Sequence, residues 1–122
     1  MAKRVLLIED EPNIIEALRF ILSRDDWLVE THSDGATAMA NIDSKHPDVV
    51  VLDVMLPNRS GFDILKDIRT HQDFSDLPVL MLTARGQDND RDLANSIGAT
   101  AFMTKPFSNS DLVQVVNELA NK

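Results

Sequence analysis

The chain has 122 residues, with twelve Lys+Arg against twenty Asp+Glu and a formal charge of −8. That length suits one domain spanning 1–122 and is long enough to bury its own core. With no cysteine, disulfides, thiolate metal sites and cysteine nucleophiles are excluded. A net acidic surface disfavours nucleic-acid binding through clustered Lys/Arg. No apolar run approaches the ~18 residues of a membrane span, and four apolar residues after Arg4 are too few for a signal peptide. The expectation is a soluble, cytoplasmic single domain.

Taken in chain order, short aliphatic runs alternate with stretches of helical spacing. A strand is predicted at Val5–Ile8, followed by a helix opened by Pro12 with Ile14, Leu18, Ile21 and Leu22 on one face. A second strand, Leu28–Thr31, precedes a helix that starts after Asp34-Gly35 and aligns Ala38, Met39 and Ile42. The run Val49–Leu52 reads as a central strand covered on both faces. The third helix follows Ser60 and carries Phe62, Leu65 and Ile68. Strand Val79–Leu82 leads to a polar fourth helix, about Asn89–Ile97, offering Leu93, Ala94 and Ile97 to a core and ended by Gly98. It is either a shallowly docked element of low local stability or a plain solvated helix. Strand Ala101–Met103 and a last helix with Leu112, Val115, Val116 and Leu119 complete the chain. Ser60-x-x-Asp63 and Ser108-x-x-Asp111 fit N-terminal capping patterns. Five strands alternating with five helices imply a parallel α/β sandwich.

In such a sheet, ligands bind beyond the carboxyl ends of the strands. There the chain places Glu9, Asp10 and Glu11, then Asp53, Thr83 and Lys105, each group from a different strand. Two carboxylates ~4 Å apart repel by about 4 kcal/mol at an effective dielectric of 20. Glu9, Asp10 and Asp53 therefore need a shared proton or cation, and Mg²⁺ is the hard divalent ion that suits oxygen ligands. Lys105 adds a positive charge and Thr83 a hydroxyl, the components that stabilise a transferring phosphoryl group. The plainer alternative is a structural Lys105–Asp53 ion pair.

The stretches Val5-Leu6-Leu7-Ile8-Glu9-Asp10-Glu11, Val51-Leu52-Asp53-Val54-Met55-Leu56-Pro57 with Gly61, Leu82-Thr83-Ala84 and Phe102-Met103-Thr104-Lys105-Pro106-Phe107 together resemble a response-regulator receiver domain of two-component or phosphorelay signalling. The resemblance covers essentially the whole chain. It implies a flavodoxin-like, doubly wound five-stranded parallel sheet of order 2-1-3-4-5 with five helices. It makes Asp53 the phosphoacceptor, attacking a phosphohistidine of a histidine kinase or histidine phosphotransfer protein. Mg²⁺ would be held by Glu9, Asp10, Asp53 and the main-chain carbonyl of Met55. Thr83 would move to the phosphoryl group, Lys105 would supply the cation before a cis Pro106, and Phe102 would be the aromatic switch. Phosphorylation would then change the surface of the fourth helix, fifth strand and fifth helix, which faces a downstream protein target. The resemblance implies a signalling protein rather than an enzyme, without nucleic-acid or membrane contact of its own, as a monomer or a weak phosphorylation-dependent dimer.

Some positions depart from the commonest pattern. Glu9 stands where aspartate is frequent, and its longer arm is expected to reach metal through water. Phe102 lacks a tyrosine hydroxyl, while Met55 and Arg85 flank the acceptor and tune water access. Trp27 reads as a packing residue, and His32, His46 and His71 lack metal-ligand spacing. The stretch Asp88–Asp92 is either a solvated helix start or part of a partner surface. An aspartyl-nucleophile phosphatase needs an acid two residues after Asp53, where Met55 stands. A flavin module is disfavoured because Glu9-Asp10-Glu11 would repel its phosphate. A degenerate receiver acting as a constitutive interaction module is the least supported, since all the key positions are filled. A stand-alone receiver, with no output domain in this chain, is expected in preference to a piece of a larger regulator with a DNA-binding or enzymatic output.

Overall fold

Five parallel strands form one sheet in the order β2-β1-β3-β4-β5 in the computed structural model, which describes residues 3–84 and 88–121. The strands are β1 (Arg4–Ile8), β2 (Leu28–His32), β3 (Val49–Asp53), β4 (Val79–Ala84) and β5 (Ala101–Lys105). The helices are α1 (Pro12–Arg24), α2 (Ala38–Lys45), α3 (Gly61–Thr70), α4 (Asp88–Ile97) and α5 (Asn109–Ala120). The order, the five helices and the flavodoxin-like layering agree with the sequence-based expectation.

Alternation along each strand sorts the core into two halves. Val5, Leu7, Val49, Val51, Leu80 and Leu82 pack with Leu18 and Leu22 of α1 and Leu112, Val116 and Leu119 of α5. Leu6, Ile8, Val50, Leu52, Val79 and Met81 pack with α2, α3 and Ala94 of α4. Truncating a fully buried leucine or isoleucine such as Leu18 or Ile68 costs about 2–5 kcal/mol. Trp27 is buried in the α1/α5 half and donates its indole N–H to Asn117 Oδ1 at 2.9 Å, which makes it a packing residue.

All five strands run further than the apolar runs predict, β1 starting one residue earlier at Arg4 and β2 ending one residue later at His32. β3, β4 and β5 continue to Asp53, Ala84 and Lys105, because the main-chain ladder persists past the point where side chains turn polar. Val54 N–H still donates to Leu82 O at 2.9 Å beyond the end of β3. Ser60 accepts the Phe62 N–H at 3.1 Å and Ser108 the Asp111 N–H at 3.4 Å, so the hydroxyl half of each capping pattern forms. No carboxylate bond back from Asp63 or Asp111 accompanies it among the described residues.

α4 differs from expectation at Leu93, which is exposed; the helix rests on buried Ala94 and half-buried Ile97. Its C-terminal end is firmly tied. Gly98 takes φ 116°, a conformation open to glycine, and its N–H closes on Ala94 O at 3.0 Å. Arg69 of α3 donates to Gly98 O at 2.7 Å, to Leu77 O at 2.7 Å and to Thr100 Oγ1 at 3.1 Å. One guanidinium thus clamps the end of α4 to the entries of β4 and β5.

Candidate functional site

Strand register brings the predicted residues together at the carboxyl edge of the sheet. Ile8 pairs with Leu52, Asp53 with Leu82, Leu82 with Met103 and Ala84 with Lys105. Glu9, Asp53 and Lys105 continue the alternation that faces α1 and α5, and their charged ends meet. Lys105 Nζ lies 2.9 Å from Glu9 Oε1, 3.3 Å from Asp53 Oδ2 and 3.8 Å from Glu11 Oε1. A simple Lys105–Asp53 pair is therefore too small a description. Carboxylate oxygens of Glu9, Asp10 and Asp53 all lie within 4.8 Å of one another. Glu9 and Asp53 are buried, and Asp10 is exposed at the mouth of the site.

Glu9 curls back on its own backbone. Its Oε2 accepts the Asp10 N–H at 3.0 Å and the Glu11 N–H at 3.3 Å. Its Oε1, fully buried, lies 2.9 Å from Lys105 Nζ and has no aligned hydrogen bond among the described residues. Burial pushes the Asp53 carboxyl up to about 7, reinforced by the adjacent carboxyl and negative charge of Glu9. Burial acts the same way on Glu9, but the close approach of the Asp53 carboxyl and the Lys105 ammonium outweigh it and hold that carboxyl below its ordinary value. Burial would also lower Lys105, yet Glu9 and Asp53 keep it above its usual range. Glu9 and Asp53 thus hold one proton between them until near neutrality, one of the two remedies that charge crowding demands.

The loop after β3 is fixed by close approach. Gly61 N–H donates to Val54 O at 2.9 Å, and a Cβ on Gly61 would lie 2.2 Å from Asp53 O. Across the loop, Gly35 N–H donates to Pro57 O at 3.0 Å, and Asn58, at φ 71°, donates from its amide to Asp34 Oδ1 at 3.0 Å. That bond, then the Ala36 N–H, holds the Asp34 carboxyl below its ordinary value. Met55 N–H approaches Asp53 Oδ1 at 3.4 Å, while the Met55 side chain is 73% exposed beside Asp53. The Lys105–Pro106 bond is cis. Arg85 lies outside the described residues.

Thr83 and Phe102 continue the opposite alternation, toward α2–α4. Met81 pairs with Phe102 and Thr83 with Thr104, so Phe102 is the diagonal neighbour of Thr83. Thr83, 1% exposed, donates its hydroxyl to Asp90 Oδ2 at 2.6 Å. Half-buried Phe102 has the Arg91 guanidinium 5.4 Å above its ring. Sequence reasoning missed Asp90 and treated its stretch as a helix start or partner surface. The available signal was an acid seven positions after a strand-end hydroxyl, at the start of the next helix. Glu11, noted as an acid but given no role, also joins the site.

Residues 5–117 match the family model described as response regulator receiver domain. Among curated relatives, the alkaline phosphatase synthesis transcriptional regulatory protein PhoP of Bacillus subtilis is 41% identical over 108 residues, covering 88% of this chain and 44% of that protein. The phosphate regulon transcriptional regulatory protein PhoB of Escherichia coli is 38% identical over 113 residues, covering 93% and 49%. The chain spans about half the length of the curated relatives it matches. A putative response regulator from Chloroflexus aurantiacus has a similar structure, with TM-score 0.95, 29% identity and all of both chains covered. So does the receiver domain of the sensor histidine kinase PA1611 from Pseudomonas aeruginosa, described with a magnesium ion in its active site cleft, at TM-score 0.86, 25% identity and full coverage of both chains. With family model, relatives and fold in agreement, the chain belongs to the response regulator receiver domain family of two-component systems.

Proposed function

We infer that this domain is a phosphorylation-dependent switch whose acceptor is Asp53. The observation that carries this reading is a buried carboxylate with a cation 3.3 Å from its Oδ2, at the meeting point of four strand ends. In the transfer, an Asp53 oxygen forms the new O–P bond as the N–P bond of a donor phosphohistidine breaks. The bonding pair returns to the donor imidazole, which regains its proton from solvent. Lys105 offsets the added charge, of order −1.5 to −2. Thr83 turns its hydroxyl to a phosphoryl oxygen, and Phe102 moves into the space that Thr83 leaves.

The donor set fits Mg²⁺: all donors are hard oxygens, clustered within 4.8 Å, and Glu9 Oε1 is buried without an aligned hydrogen bond. Asp10 and Asp53 would hold the ion with the Met55 main-chain carbonyl, and Glu9 would do so through water. When bound, Mg²⁺ supplies positive charge against the phosphoryl oxygens. The magnesium-bearing PA1611 receiver supports this assignment.

The donor is a histidine kinase or a histidine phosphotransfer protein, and the reader is a protein that senses α4, β5 and α5. The domain turns over no separate product, so it serves as a signalling protein rather than an enzyme. Relatives that are transcriptional regulators about twice as long favour an output through a larger regulator over the stand-alone form expected from the sequence. Intact-protein mass after incubation with acetyl phosphate tests the reading. A gain of one phosphoryl group that needs Mg²⁺ and vanishes in Asp53→Asn is expected. Equal gain in Asp53→Asn overturns it.

A further inference from the structure

We propose that Asp90, near the start of α4, is a positioning residue that holds the Thr83 hydroxyl in its resting place and must release it for Asp53 phosphorylation to be read. The inference rests on the phosphoacceptor reading above. A hydroxyl carries one proton and can donate it to one strong acceptor at a time. Donation to Asp90 Oδ2, at 2.6 Å, and donation to a phosphoryl oxygen on Asp53 therefore exclude each other. Because Thr83 is 1% exposed, no bulk water stands ready to replace either acceptor. The short carboxylate bond is of the charge-assisted kind, about twice as strong as a neutral one.

Position makes the competition mechanical. Asp90 belongs to the end of α4 opposite the Arg69 clamp, which holds Gly98 and Thr100 at the far end. The next residue, Arg91, covers the Phe102 ring at 5.4 Å. The first turns of α4 thus touch both residues assigned to the switch, on the same face of β4 and β5. When Thr83 leaves Asp90, that end of the helix loses its hydrogen-bonded tether to β4, while the clamped end stays. The freed carboxylate borders a groove of about 460 Å³ also lined by Met55 and Phe62, where water can solvate it.

The test is the dissociation constant for beryllofluoride, a tetrahedral phosphoryl analogue, measured with Mg²⁺ on folded variants matched by urea midpoint. Removing the competing acceptor in Asp90→Ala is expected to tighten binding about tenfold, the scale of one charge-assisted hydrogen bond. Asp90→Asn, which keeps an acceptor oxygen without the charge, falls between Asp90→Ala and wild type. In a Thr83→Val background the Asp90→Ala gain shrinks below twofold. The Thr83 methyl resonance of unliganded Asp90→Ala shifts toward its beryllofluoride-bound position. An unchanged dissociation constant in Asp90→Ala overturns the proposal, as does a gain that persists in Thr83→Val, which would mark a general charge effect. Wild-type protein that binds no beryllofluoride overturns the phosphoacceptor reading itself, and this proposal with it.

Discussion

Asp53 carries its charge at a cost that depends on pH. Its folded value lies well above the ordinary 3.8, so between about 4 and 7 the folded protein holds protons that the unfolded chain has lost. The stability contributed by protonated Asp53 is complete below pH 4 and disappears as pH rises through 7. In metal-free protein, Asp53→Asn should therefore be more stabilising at pH 8 than at pH 5. Paired urea denaturations should show a difference on the order of 2 kcal/mol, since each unit of pKa displacement is worth about 1.4 kcal/mol. Lys105→Met leaves Glu9 and Asp53 facing each other without a cation. That variant should unfold about 2–3 kcal/mol more easily at pH 8, a loss that shrinks toward pH 5 as the pair takes up its proton. The acids, hydroxyl and lysine of this site were legible because each ends a strand of a parallel sheet. Asp90 was not, because its partner Thr83 belongs to the preceding strand, and no periodicity links a strand end to a helix start.

At the scale of elements, the loop after β3 leaves no room for a side chain at Gly61. Gly61→Ala places a methyl group 2.2 Å from Asp53 O. It should cost about 3 kcal/mol or more in chemical denaturation and displace Asp53. Arg69→Ala unties Gly98, Leu77 and Thr100 together and should cost about 2–3 kcal/mol. Arg69→Lys recovers little of it, since an ammonium cannot span the planar fork. The five strands and five helices were legible from apolar spacing, because nearly every apolar run has a buried side to fill. Strand ends at Asp53, Ala84 and Lys105 were not, since main-chain pairing leaves no mark in side-chain polarity. The exposure of Leu93 was hidden too: helical spacing nominates a face, but the amount of α4 that docks is set by its neighbours.

For the whole molecule, the −8 charge and the crowded acids act in the same direction. A cation bound only by the folded state stabilises it by mass action, about 1.4 kcal/mol at ten times its dissociation constant. At ten times its dissociation constant, Mg²⁺ should raise the unfolding free energy of the wild type, read from urea denaturation at pH 8, by that amount. It should leave a Glu9→Gln, Asp10→Asn, Asp53→Asn triple variant unmoved, while monovalent salt raises both alike by screening.

The alternation of the strands has a further consequence for how far a signal must travel. Asp53 and Lys105 belong to one side of the sheet, Thr83 and Phe102 to the other; Asp53, Thr83 and Lys105 sit at its carboxyl rim, with Phe102 one diagonal step inward from Thr83. On the proposed reading, news of an added phosphate would cross a single layer of backbone at the edge where the strands end. It would not thread through the packed interior. The hydrophobic core can then remain rigid while the message passes, and substitutions deep within it would alter how firmly the domain is built without altering what it reports.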